Sequence, residues 1–284
     1  LPLAPDTTTE ADKAATEFLR RAEALATWVS GSTARREALA GEVGIMQPFY
    51  LAYRQGNHRE ALSCYGDALT LPFAAENALP LATPARAGKI RLLIVSAYIR
   101  RHSVWDIVLK GIVRHLDRSR FEIYIYSLGK LTDEETRWAR AQADGWRDAS
   151  AAFRKENWLD WVRRDAPDVI YYPEIGMDPI TVFLAAHRLA PLQVVGWGHP
   201  ITSGLPTMDC YLSGELIEGP TAATHYREQL VRLPGAGCCT QVIDIAPQPV
   251  VELMASLASL PRPWFVIPQR FFKFDPADDD LYAE

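Results

Sequence analysis

Between Lys89 and Leu233, short apolar runs of strand length alternate with stretches whose apolar residues recur every three or four positions. No other feature of the chain constrains its fold as tightly. Ile90–Val95, Phe121–Tyr126, Asp168–Tyr172, Leu192–Gly196 and Gln229–Leu233 read as strands, rich in β-branched and aromatic residues. Trp105–Leu116, Glu134–Ala143, Trp158–Arg164 and Ile180–Leu189 carry helical spacing. Strands separated by helices at this rhythm predict an α/β fold, a parallel sheet with helices on both faces. Such sheets bind ligands beyond the carboxyl ends of their strands. The loops that matter should therefore follow Val95, Tyr126, Tyr172 and Gly196.

The flanks differ. Residues 8–42 read as helix, with Ala14, Phe18, Leu19, Ala22 and Leu25 on one face. Pro48–Leu69 reads as a second helical stretch, interrupted by a turn at Gly56-Asn57. Helix, turn and helix of this size suggest one tetratricopeptide-like unit, or a helical extension packed on the next domain. Residues 72–88 look like a linker, and 234–263 are irregular and Pro-rich, after which Trp264–Ile267 opens a new strand. The expected domains are a helical segment with its linker over 1–85, a parallel-sheet domain over 86–235, and over 236–284 a linker with the start of a second domain.

Charge argues against nucleic acid as a partner, because the net value is −5 and no Lys/Arg-rich run stands out. Of the four cysteines, Cys238 and Cys239 are adjacent and suit neither an ordinary disulfide nor a metal clamp, so a reduced, cytoplasmic protein is expected. No apolar run approaches the roughly 18 residues that span a bilayer, so no membrane partner is expected. No His/Cys/Asp/Glu spacing matches a zinc or iron site, and neither metal nor cofactor is expected.

Three loops carry candidate chemistry, each after a strand. Ser96–Trp105 holds His102 just before a helix, where backbone N–H groups favour anions and an imidazole can take a proton or orient a substrate. Gly196–Gly204 mixes glycines with His199, Thr202 and Ser203, groups that suit phosphate or sugar oxygens, although it is neither a Walker loop nor a G-x-G-x-x-G fingerprint. Pro268–Pro276 offers Gln269 for a base or ribose edge and Lys273 for a diphosphate. Glu174, at a strand end, is either an active-site carboxylate or a turn cap. A nicotinamide enzyme is disfavoured, since the first strand runs into Ser96-Ala97-Tyr98 rather than a glycine fingerprint.

The ordered run Gly198-His199-Pro200-Ile201-Thr202-Ser203-Gly204-Leu205-Pro206-Thr207-Met208-Asp209, continued by His225-Tyr226 and Leu230–Pro234, resembles the O-linked N-acetylglucosamine transferase family, including its SPINDLY-like bacterial members. Phe49–Tyr53 with Gly56-Asn57, Arg91 through His102, and Pro268-Gln269 with Phe272-Lys273 extend the resemblance over roughly residues 45–284. It implies a GT-B architecture of two facing Rossmann-like domains with the donor in the cleft between them. It implies inverting, metal-independent transfer of a sugar, N-acetylglucosamine first among the candidates, from a nucleotide sugar such as UDP-GlcNAc to Ser/Thr of acceptor proteins. By the same resemblance His102 sits near the reacting centre, while His199, Thr202, Ser203 and Gly204 line the sugar diphosphate. Gln269 lies near the nucleotide and Lys273 neutralises the leaving diphosphate. The chain departs from the pattern where some members carry a second active-site histidine, because Tyr53, Arg54 and Gln55 stand there and His58 does not align. As the sequence stops before the loops that complete donor binding, it is expected to be inactive on its own. The alternative is a glycosyltransferase-like scaffold that binds proteins without chemistry.

Overall fold

The computed structural model describes residues 5–79, 81, 88–151, 154–240, 251–258, 261 and 267–283. Two helices open the chain, α1 (Thr8–Ser30) and α2 (Thr33–Glu42), then a 3-10 turn Phe49–Tyr53 and α3 (Arg59–Thr70). The expected single helix over 8–42 is thus broken. Gly31 ends α1, and the Ser32 hydroxyl accepts the Arg35 N–H to cap α2. The stretch Pro48–Leu69 turns at Gly56, φ 108°, as expected, but its first part is a 3-10 turn rather than an α-helix.

The sheet has seven parallel strands: β1 (Ile90–Ser96), β2 (Phe121–Ser127), β3 (Gly145–Asp148), β4 (Val169–Tyr172), β5 (Leu192–Gly196), β6 (Cys210–Gly214) and β7 (Gln229–Leu233). Their order is β3-β2-β1-β4-β5-β6-β7. The chain starts in the middle, winds outward to β3, then returns to β4 and winds the other way. Adjacent β1 and β4 therefore flank the switch point, where connections leave in opposite directions and open a crevice. The connecting helices are α4 (Lys110–His115), entered through a π-helical stretch Val104–Leu109, α5 (Glu134–Gln142), α6 (Lys155–Asp165) and α7 (Pro179–Ala185).

β1 is apolar on both faces, as a strand covered on both sides must be. Leu93 and Val95 point into one core with Trp158 and Val162 of α6, Phe183 of α7, and Val29, Leu39 and Phe73 of the helical segment. Leu92 and Ile94 point into the other with Trp105, Val108, Val113 and Ala139. The helical segment thus shares the core of the sheet domain rather than hanging from it. Strands β3 and β6 were not expected from the sequence. The Pro-rich stretch after Pro234 contains a helix, α8 (Val251–Leu257). The expected strand Trp264–Ile267 falls almost wholly outside the described residues. The chain then runs through a 3-10 turn Phe271–Lys273 and one at Pro276–Asp278 to α9 (Asp279–Ala283).

Candidate functional site

The carboxyl ends of β1, β4 and β5 place three loops side by side. The first is held from below by the start of α5, whose N-cap Asp133 closes a capping box with Thr136. Asp133 accepts the Arg101 N–H at 2.7 Å, Glu134 meets the Arg101 guanidinium at 2.9 Å, and the Thr136 hydroxyl donates to the Ile99 carbonyl at 2.6 Å. Buried Glu135 accepts the Trp105 indole N–H and the Lys110 ammonium, both within 2.9 Å. Burial works against its charge, but the bonds from Lys110 and Trp105 outweigh it and hold the carboxyl below its usual range. Tyr98 and His102 stand out of this anchored loop with their rings stacked, 4.2 Å between centroids.

His102 is half-buried. Burial, with Arg100 nearby, lowers its proton affinity, which favours the neutral ring at neutral pH. Its Nδ1 accepts the Val104 N–H at 3.2 Å. The neutral ring therefore carries its proton on Nε2 and presents a donor.

The second loop follows β4. Glu174 is fully buried and its carboxylate accepts the Ala97 N–H of the first loop at 2.8 Å. Gly176, at φ 101°, lets the third loop approach, since a Cβ there would sit 2.9 Å from the His199 ring.

His199 is buried, stacked on Phe49 at 5.2 Å and nearly parallel to it, and burial pushes its imidazole down to about 4. Thr202, Ser203 and Gly204 are tied into the protein. The Thr202 hydroxyl donates to Glu228 at 2.6 Å, the Ser203 hydroxyl and N–H both reach the same carboxylate, and the Arg227 guanidinium donates to the Gly204 carbonyl at 3.0 Å. Gly204, at φ 68°, packs so closely on α3 that any Cβ would overlap the Leu62 carbonyl. The two hydroxyls expected to face a sugar diphosphate are thus bonded to Glu228, and the loop's exposed parts are elsewhere along it.

The C-terminal segment meets these loops through the 3-10 turn Phe49–Tyr53. Phe272 packs edge-on against Phe49, Tyr50 and Tyr53, with centroids between 5.4 and 6.0 Å. Exposed Lys273 lies 5.7 Å above the Tyr53 ring. Burial raises the Tyr98 phenol, and the nearby carboxylates Glu174 and Asp178 add to the shift. One aromatic turn therefore touches the His199 loop on one side and the Lys273 segment on another. Gln269 is exposed and does not join this cluster. His58 turns away, its Nε2 bonded to the Arg54 carbonyl. The Phe49–Tyr53 turn was read from the sequence as part of a helical stretch and of the family resemblance, but not as a site element; its three rings in five residues were the available signal.

Among the described residues no group of three His, Cys, Asp or Glu side chains could hold a metal ion, and no helix is long and apolar enough to cross a membrane.

No protein-family profile matches the chain. A probable UDP-N-acetylglucosamine–peptide N-acetylglucosaminyltransferase SPINDLY from Solanum lycopersicum is 28% identical over 142 residues, 49% of this chain and 15% of its own length. A UDP-glucose:protein N-β-glucosyltransferase from Actinobacillus pleuropneumoniae is 33% identical over 86 residues, 30% of this chain and 14% of its own. Among solved structures, an O-GlcNAc transferase from Thermobaculum terrenum, the K341M mutant, superposes with a TM-score of 0.51 at 24% identity, covering 81% of this chain and 48% of that one. The matches span about one-seventh of the length of the curated relatives and about half of the solved neighbour. The chain is similar to protein glycosyltransferases, and its sheet has the fold of the O-GlcNAc transferase neighbour.

Proposed function

We propose that the intact protein is a protein glycosyltransferase. It moves a sugar, N-acetylglucosamine first among the candidates, from a nucleotide-sugar donor to Ser or Thr side chains with inversion and without a metal. The observation that supports this reading is the meeting of the His199 loop, through Phe49, and the Lys273 segment, through Phe272 and Tyr53, on one aromatic turn, with the His102 loop leaving the neighbouring end of the same parallel sheet. In this reading an acceptor hydroxyl oxygen forms a bond to the anomeric carbon. The bond from that carbon to the phosphate oxygen breaks, the diphosphate leaves with the electron pair, and the acceptor's proton passes to an oxygen of the departing diphosphate.

Two requirements follow: the acceptor must be held in line, and charge growing on the leaving group must be neutralised. His102 meets the first by donating from Nε2 to an oxygen of sugar or acceptor. Lys273 meets the second as an exposed ammonium. Gln269 faces the nucleotide once the donor is bound. The His199–Gly204 loop contributes through its backbone and through the packing of His199 on Phe49, its two hydroxyls being held by Glu228.

The test is to incubate the intact protein with radiolabelled UDP-GlcNAc, and in parallel with UDP-glucose and GDP-fucose, in the presence of host lysate. Labelled protein is expected, reduced by on the order of a hundredfold in His102→Ala and in Lys273→Ala. Unchanged labelling in both variants would refute the site. No labelling with any donor would refute the transferase reading.

A further inference from the structure

Glu174 occupies the floor of the switch-point crevice. Its carboxylate is fully buried between the ends of β4 and β1. It accepts the Ala97 N–H at 2.8 Å, while Oε2 has no hydrogen-bond partner among the described residues. The titratable groups that bear on it are Asp178, Tyr98 and Tyr171, all acids, so none supplies the positive charge a buried carboxylate needs. Its hydrogen-bond partner Ala97 stands at the head of the His102 loop; the next residue, Tyr98, donates its N–H to the Ser96 hydroxyl at 3.0 Å and carries the ring on which His102 stacks. The Tyr98 hydroxyl returns to the β4 loop, donating to the Met177 carbonyl at 3.2 Å. The two loops are therefore tied at both ends, by Glu174 to Ala97 and by Tyr98 to Met177.

We propose that Glu174 is a positioning residue: its buried carboxyl, carrying its proton, ties the β4 loop to the β1 loop and so fixes Tyr98 beneath the His102 ring. This rests on the transferase reading of the same site. Isolated burial raises the carboxyl to about 8, in keeping with a neutral acid at pH 7. Ionisation would place an uncompensated charge between Asp178, Tyr98 and Tyr171, and the loop would give way. The tie holds below pH 8 and loosens as pH rises through it.

The experiment compares wild type, Glu174→Gln, Glu174→Ala and His102→Ala in the intact protein, by sugar transfer between pH 6 and 9 and by infrared difference spectroscopy. Glu174→Ala is expected to lower kcat on the order of tenfold to a hundredfold, with the donor KM changed far less. Glutamine, which copies the neutral acid, is expected to restore most of what alanine loses and to remove the fall in activity above pH 8. The carbonyl stretch of a protonated carboxylic acid should be present at pH 7 in wild type and absent from Glu174→Gln. A glutamine variant as poor as alanine, an alkaline fall that persists in it, or a missing acid band in wild type would each overturn the proposal. Should alanine fail to fold, the band and the glutamine profile still decide. Full transfer by His102→Ala would instead remove the site reading, an outcome separate from these.

Discussion

Single residues in this chain carry charge states that differ sharply from those of an open chain. His187 packs its ring 3.9 Å from Phe73 and bonds its Nδ1 to the Phe183 carbonyl, and burial pushes it down to about 4. The folded value lies below the unfolded one, so its neutral form supports the fold fully above about pH 6.5, and that support drains away as pH falls toward 4. Replacing it by Phe keeps the volume and removes the titration. The gap in unfolding free energy between wild type and His187→Phe should then shift by up to roughly 3 kcal/mol between pH 7 and pH 4, to the disadvantage of wild type. A constant gap in urea titrations at both pH values would contradict this. Neither His187 nor Glu174 shows its state in the sequence, where a histidine in an apolar run and a glutamate at a strand end look ordinary. Solvent exclusion comes from elements distant along the chain. The position of His102 was more legible, because the sequence places it between a strand and a helix, and the structure puts it after β1 and before the π-helical stretch. The Thr202 and Ser203 hydroxyls suit a phosphate equally well, and only the fold shows that both donate to Glu228.

At the level of elements, strands and helices with strong apolar period appear where the sequence places them, and β1, β2, β4, β5 and β7 match within a residue or two. Those missed lack that signal. β3 is a four-residue edge strand, Gly-Trp-Arg-Asp, and exists because β2 offers it a ladder. The start of α5 could be read from its Asp-Glu-Glu-Thr run, but its use as the anchor of the His102 loop could not. That use has a measurable consequence. Glu135 gathers the Trp105 indole and the Lys110 ammonium into one buried carboxylate. Glu135→Ala leaves both donors without it, and desolvated donors cost more than a lost bond in water. Unfolding free energy should fall by about 2–4 kcal/mol. Sugar transfer should fall with it even at temperatures where the variant remains folded, because Arg101 and the His102 loop lose their footing. A loss under about 0.5 kcal/mol, the range of ordinary surface changes, would show that the cluster does not anchor the loop.

At the scale of the whole molecule, the alternating pattern foretold a parallel sheet, but not that the helical segment would share its core or that a five-residue aromatic turn would join three parts of the chain. The C-terminal segment is held at and beside that turn by ring packing and by polar contacts, among them the Gln55 side-chain amide, which donates to Asp278 at 3.3 Å. Phe272 packs into the rings of Phe49, Tyr50 and Tyr53. Buried Arg54 donates to the Tyr53 carbonyl at 2.8 Å and to the Phe274 carbonyl at 3.4 Å, with its guanidinium 4.0 Å from buried Asp275. Asp275 also caps the following 3-10 turn by accepting the Ala277 N–H at 3.0 Å. Arg54→Ala would leave Asp275 buried beside no guanidinium, a cost of about 3–5 kcal/mol that the segment escapes by lifting off. Because residues 267–283 add no strand to the sheet, the loss should stay local. Hydrogen exchange at the Lys273, Phe274 and Asp278 amides should speed up by at least about a hundredfold, while amides of β1 keep their protection. Transfer activity should drop with it, since Lys273 would leave its place above Tyr53. Equal acceleration in β1 would make Arg54 a global prop of the fold, and unchanged exchange at Lys273 would mean that the remaining contacts hold the segment.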